Sequence, residues 1–156
     1  MNLRRSLDAA DILPIRRILE EVGVFTPEEV ACGVELAQQT VAGEDGYHWV
    51  LAEDGGELFG LICYGSVPLT VGTWDLYWIL RSPRGKKQGV AARLLEACEA
   101  DIKNQNARLL VLNTSGTPPY QPARDFYLRH GFQLTARIPE YYRPGDDLLI
   151  FTKKMG

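Results

Sequence analysis

The sequence predicts a mixed α/β domain, a mostly antiparallel sheet flanked by helices in the order β-α-α-β-β-β-α-β-α-β-β. Three observations predict it. Apolar runs of strand length alternate with segments whose apolar residues recur at helical spacing. A strand–helix–strand unit occupies the middle of the chain, with hairpin patterns on either side. The length, 156 residues, suits a single domain over residues 1–156.

Each element has its own signal. Residues 2–5 form a short first strand. Residues 8–21 read as a helix, because Ile12, Ile15, Ile18, Leu19 and Val22 recur on one face. Pro14 sits near its first turn, where proline is tolerated, and Gly23 stops it. Thr26 then caps a second helix with Pro27 at its first position, running to about Val41. Residues 47–54 and 58–66 are strands joined by a tight Gly55-Gly56-Glu57 turn. After a loop, "TWDLYWILR" at 73–81 is a strongly apolar strand ended by Ser82-Pro83. A helix over 88–103 carries the stripe Val90, Ala91, Leu94, Leu95, Cys98 and Ile102. "ARLLVLNTS" at 107–115 is a buried strand. Residues 122–129 form a short helix ending at Gly131, a left-handed cap. Strands at 132–139 and 147–155 enclose a polar turn, "RPGDD".

Composition narrows the function. A net charge of -3 argues against a dedicated nucleic-acid binder. No segment approaches the ~20 apolar residues of a membrane span, and the charged N-terminus is unlike a signal peptide. A soluble, cytoplasmic protein is the expectation. Cys32, Cys63 and Cys98 are odd in number and sit in apolar contexts, so reduced, buried thiols are expected rather than disulfides. They and the two histidines, His48 and His130, lack metal-ligand spacing, so no metal is expected.

Against this acidic background, "SPRGKKQGVAARLLEA" packs small residues and positive charge where a helix begins. The first amides of a helix have no partner within it, and the helix dipole adds to their pull on an anion. Gly89 has no side chain to keep a phosphate from the amides of Gln88, Gly89, Val90, Ala91 and Ala92. Arg84, Lys86 and Lys87 add charge. Two familiar phosphate motifs fail: Gly85 and Gly89 are not followed by Lys-Ser/Thr, and a third glycine for a dinucleotide fingerprint is missing. A solvated basic loop before a core helix is the plainer reading of the turn alone.

At these residues the chain resembles the GCN5-related N-acetyltransferases (GNAT). Their signature, Gln/Arg-x-x-Gly-x-Gly/Ala, reads here Lys86-Lys87-Gln88-Gly89-Val90-Ala91, with Leu94-Leu95 after it and Pro83 before it. Lys86 keeps the charge of the usual Arg but loses its planar fork. A second family segment runs through Ala123, Phe126, Tyr127, Gly131 and Phe132, with Tyr120 where the family commonly has Asn. The resemblance implies a GNAT-like fold and acetyl-CoA as co-substrate. It implies a diphosphate on the amides of Gln88 to Ala92, with Lys86, Lys87, Tyr120 and Tyr127 also near the cofactor. It places the pantetheine arm along the backbones of Ile79, Leu80 and Arg81, paired as an added strand is paired.

The implied reaction moves an acetyl group directly to a primary amine of a small molecule or protein. The amine must lose a proton and the leaving thiolate must gain one. Tyr127 is the family-matched acid; the alternative is a core tyrosine. Asp75, inside an apolar strand, is the candidate base; the alternative is an exposed edge carboxylate. Glu20, Glu21, Tyr64, Tyr141 and Tyr142 fall in segments that family members use on the acceptor side. Asp146 and Asp147 could attract a cationic amine, though Pro-Gly-Asp-Asp is more simply a turn. His48 and His130 read as structural. Family members often pair, so a homodimer is one expected assembly, with no nucleic-acid or membrane partner. The rival reading is a non-catalytic acyl-CoA-binding module, kept open by Lys86 and Tyr120.

Overall fold

The computed structural model describes residues 1–84 and 89–156. Its strands are β1 (Asn2–Arg4), β2 (His48–Asp54), β3 (Glu57–Ser66), β4 (Thr73–Arg81), β5 (Leu109–Ser115), β6 (Gln133–Arg143) and β7 (Asp146–Lys154). The helices are α1 (Ile12–Val22), α2 (Pro27–Val41), α3 (Val90–Lys103) and α4 (Gln121–Arg129). The strands form one sheet in the order β1-β2-β3-β4-β5-β7-β6. The β1–β2, β2–β3, β5–β7 and β6–β7 pairs are antiparallel, and β4–β5 is parallel. The expected mixed, mostly antiparallel α/β architecture is therefore the one observed.

The chain divides into two compact units, and the boundaries fall at the end of β3, inside β4 and near the end of α3. The first comprises Met1–Gly65 and Trp78–Asp101. Its core joins Ile15, Ile18 and Leu19 of α1 to Val30, Val34 and Ala37 of α2, over Trp49, Leu51, Leu61, Cys63 and Leu80 of the sheet. The helix starts follow the residues expected to cap them. Thr26 Oγ1 accepts from the Glu29 amide at 3.2 Å, while the Glu29 carboxylate accepts from the Thr26 amide at 2.9 Å. Gly23 closes α1 at φ +80°, a conformation that favours glycine. On α3, Val90 and Leu94 are fully buried. They come so close to Gly60 of β3 that a Cβ there would lie 2.6 Å from Val90 and 2.9 Å from the Leu80 carbonyl oxygen.

The second unit comprises Ser66–Tyr77 and Ile102–Gly156. Thr73, Trp74 and Asp75 of β4 pair with Leu109, Leu110 and Val111 of β5, and β4 continues for six residues beyond that ladder. α4 packs through Tyr127 against Phe132 and Phe151, and Gly131 follows it at φ +89°.

Three expectations are corrected. Cys32 is exposed, because the buried stripe of α2 runs through Val30, Gly33, Val34 and Ala37 and leaves position 32 outside. The polar turn between the last strands shrinks to Pro144-Gly145: β6 runs on to Arg143 through two register shifts, with Glu140 at φ +51°. Asp146, expected in that turn, opens β7 and is 6% exposed. Cys63 and Cys98 are buried and all three thiols are free, as expected.

Candidate active site

The segment after β4 is built on Ser82, which is fully buried. Its amide donates to the Phe59 carbonyl at 2.8 Å, and its hydroxyl donates to Glu21 Oε2 at 3.3 Å and accepts from the Arg84 amide at 3.1 Å. Arg84 also donates to Glu21 from Nε at 3.1 Å, pairs with Glu57, and lies over the Phe59 ring. Burial pushes the Glu21 carboxyl up, but hydrogen bonds from Arg17 and Arg84 outweigh it and hold the group below the usual carboxylate range. Arg84, expected to lend charge to a phosphate, is thus bound to two carboxylates, and Glu21 is a bracket for the strand end.

Lys86, Lys87 and Gln88 lie outside the described residues. Gly89 is exposed at φ +56°, and a Cβ there would meet nothing within 4 Å among the described residues. Its carbonyl accepts the amide of Arg93 at 3.0 Å, so helical bonding starts there. Val90 turns inward and is buried, while Ala91 and Ala92 are half-buried. An open left-handed glycine followed by small residues starts a helix whose first amides are of the kind that take an anion. It fits an anionic group on the amides of this turn. Ile79 is half-buried, Leu80 belongs to the core and Arg81 is exposed.

Asp75, Tyr120 and Tyr127 all belong to the second unit. Asp75 is half-buried, and burial raises its carboxyl above the ordinary value of 3.8. Tyr127 is 9% exposed among Phe126, Phe132 and Phe151. Burial first, and Tyr120 second, push its phenol up to about 12. Tyr120, half-buried, occupies the cap position of α4. The two candidates for proton transfer are linked through the sheet. Asp75 pairs with Val111, the next residue Leu112 pairs with Phe151, and the Phe151 ring lies 5.7 Å from that of Tyr127.

Among the acceptor-side candidates, Glu20 is exposed, and Tyr141 and Tyr142 are exposed with rings edge to face at 5.1 Å. Tyr64 is buried, and its hydroxyl donates to Asp101 Oδ2 at 2.6 Å, a carboxylate also held by Arg5. Asp146 and Asp147 are both engaged within the chain. Asp146 accepts from Ser115 and Arg143, and Asp147 from Arg137 and the Glu140 amide. Among the described residues there is no cluster suited to a metal ion, and no helix is long and apolar enough to cross a membrane. A network around Arg124 and Ser115, which sequence reasoning missed, lies at the start of α4.

Residues 15–132 match the family model described as the acetyltransferase (GNAT) family. A crystal structure of a protein assigned to that family from Desulfovibrio desulfuricans is 38% identical, covers 99% of each chain and superposes with a TM-score of 0.94. An aminoglycoside 6'-N-acetyltransferase complexed with coenzyme A shares the fold at TM-score 0.79 and 17% identity, covering 100% of this chain and 98% of that one. So does the ribosomal-protein-S18-alanine N-acetyltransferase of Escherichia coli, at TM-score 0.76 and 17% identity, covering 99% and 95%. No curated protein matches the sequence in direct comparison. The family match over three-quarters of the chain, the full-length relative and the open glycine turn after β4 agree: the chain belongs to the acetyltransferase (GNAT) family.

Proposed function

We propose that the protein moves an acetyl group from acetyl-CoA directly to a primary amine of a small molecule or protein. Acetyl-CoA, when bound, supplies an acyl thioester open to attack by an amine. The amides of Gly89, Val90, Ala91 and Ala92 would hold the diphosphate, with Lys86, Lys87 and Gln88 assigned to the same group by the family signature alone. The backbone of Ile79, Leu80 and Arg81, beyond the β4–β5 ladder, takes the extended arm as a strand edge takes a strand. Tyr120 lines the cofactor side at the start of α4.

Asp75 accepts the amine proton, directly or through water, as the carbon–nitrogen bond forms. Burial makes it a stronger base than an ordinary aspartate. Tyr127 gives its proton to the departing sulfur as the carbon–sulfur bond breaks, and at about 12 its phenol is fully protonated at neutral pH. The thiols of Cys63 and Cys98 are pushed up by burial and stay protonated, which argues against either of them as the seat of an enzyme-bound acetyl group.

The observation that carries this reading is the exposed, left-handed Gly89 at the start of α3, in a chain of this family. Thiol release from acetyl-CoA across a panel of amines tests it, with mass spectrometry of the protein after exposure to acetyl-CoA alone. Release that depends on an amine, with unmodified protein, is expected. Binding without release from any amine would favour a coenzyme-holding module, and a stable acetyl-enzyme would overturn direct transfer.

A further inference from the structure

α4 starts without a side-chain cap: Tyr120 makes no capping bond to its amides. Besides the packing of Tyr127, Arg124 in its first turn ties this nine-residue helix to the end of β5. Nη1 of Arg124 donates to the carbonyls of Ser115 and Thr117, both at 2.8 Å, and Nη2 donates to Gln121 Oε1 at 2.8 Å. Ser115 is the last residue of β5 and Thr117 lies in the connection to α4. One planar fork therefore joins strand end, connection and helix.

The Ser115 hydroxyl secures the same point from the other side. It donates its single proton to Asp146 Oδ1 at 2.5 Å. The Asp146 carboxylate also accepts from Arg143. Having spent its proton, Ser115 Oγ accepts from the Thr117 amide at 3.0 Å, and Thr117 Oγ1, 2.7 Å away, must be the donor between the two hydroxyls. These bonds hold the strand end that offers its carbonyls to Arg124. Tyr127 stands one turn along α4 from Arg124, and its ring is seated against Phe132 and Phe151.

We propose that Arg124 is a positioning residue for acetyl transfer. By holding the Ser115 and Thr117 carbonyls it sets the placement of α4 and so the phenol of Tyr127. The inference rests on the reading of Tyr127 as proton donor. Lysine cannot replace it, because a point charge cannot span two carbonyls and Gln121 at once. A misplacement of about 1 Å in a reacting group can cost on the order of a hundredfold in rate, so a modest tilt of α4 is enough to matter.

The test is a double-mutant cycle on the full chain, with thiol release from acetyl-CoA and the best amine of the panel as the assay. Arg124→Gln and Arg124→Lys should each lower kcat about tenfold or more while KM for acetyl-CoA stays within about twofold. In a Tyr127→Phe background, Arg124→Gln should have little further effect, under about twofold. Effects that multiply instead would overturn the proposal, since Arg124 would then act through stability alone. Where the glutamine variant does not fold, the lysine variant serves in its place. If Tyr127→Phe has full turnover, the acid reading itself fails, and a readout without turnover decides the placement. In 3-fluorotyrosine-labelled protein, the fluorine resonance of Tyr127, assigned by its loss in Tyr127→Phe, should shift or broaden in Arg124→Lys. An unmoved resonance would overturn the proposal.

Discussion

The rings of Tyr127 and Phe151 lie 5.7 Å apart, tilted by 54°. Phe151 faces Leu112 across the antiparallel ladder, and Val111 beside it faces Asp75 across the parallel one. β5 thus carries, on consecutive residues, the strand partners that connect the candidate acid to the candidate base. Both lie in one compact unit, so each is testable against a common frame.

Tyr127→Phe keeps the ring contacts and removes only the hydroxyl. It should lower kcat by about a hundredfold, the low end for a positioned proton donor. Stability should change by less than about 1 kcal/mol. Steady-state kinetics and a thermal melt check both. The phenol's raised value has a second consequence. The folded state holds this proton more tightly than the unfolded chain, so its stabilisation is complete below the ordinary value near 10 and is lost as pH rises through about 12. A pH–rate series up to about pH 10 should then show no descending limb from this group. A limb at lower pH that vanishes in Tyr127→Phe would contradict it.

Asp75 should trade stability for chemistry. Its raised folded value means that its contribution is present below the ordinary value of 3.8 and is lost as pH rises through the folded one. At neutral pH the ionised, half-buried carboxylate is a net burden. Asp75→Asn should melt higher than the parent at pH 7, while turnover falls about a hundredfold. The thermal gain should shrink toward acid pH. Unchanged turnover with the rising limb of the pH profile in place would remove Asp75 as base.

Gly60 should tolerate no side chain. A Cβ there would meet Val90 at 2.6 Å and the Leu80 carbonyl oxygen at 2.9 Å, and a backbone oxygen cannot rotate away. Gly60→Ala should cost about 1–3 kcal/mol, read as a lower urea midpoint. Because Val90 opens α3, the same variant should weaken acetyl-CoA binding.

Asp11 should carry part of the protein's resistance to acid. Arg4 donates to both of its oxygens, at 2.7 and 3.0 Å, and bonds Glu53 as well. Its hydrogen bonds from Arg4 outweigh burial and hold the carboxyl below the usual range. The stabilisation is present above the ordinary value and is lost as pH falls through the folded one. Asp11→Asn should cost on the order of 1–3 kcal/mol at pH 7 and flatten the fall in melting temperature as pH drops below the ordinary value of 3.8.

Much of this was legible in the residues because local signals and global packing agree. Thr26-Pro27 with Glu29 starts α2 at the expected residue, Gly23 and Gly131 take positive φ after their helices, and the apolar run at 73–81 is β4. What was missed needs neighbours distant in sequence. Asp146 looks like a turn residue until Ser115, 31 positions away, hands it a hydrogen bond inside the fold. Arg84 looks like free charge until Glu21 and Glu57 meet it. Cys32 was a local error: apolar neighbours suggested burial, where helical phase places it outside. Arg124 carried no motif, since its partners are backbone carbonyls, which every sequence supplies.

That a coenzyme's diphosphate sits on the open amides at Gly89 is tested most directly by calorimetry of acetyl-CoA with the parent chain and with Gly89→Ala. The added methyl stands beside the first amides of α3 and strains a left-handed residue by about 1 kcal/mol. The parent should bind with measurable heat, and Gly89→Ala should bind at least about tenfold more weakly with its fold intact by thermal melt. Absence of binding to the parent, or equal affinity in the variant, would contradict it.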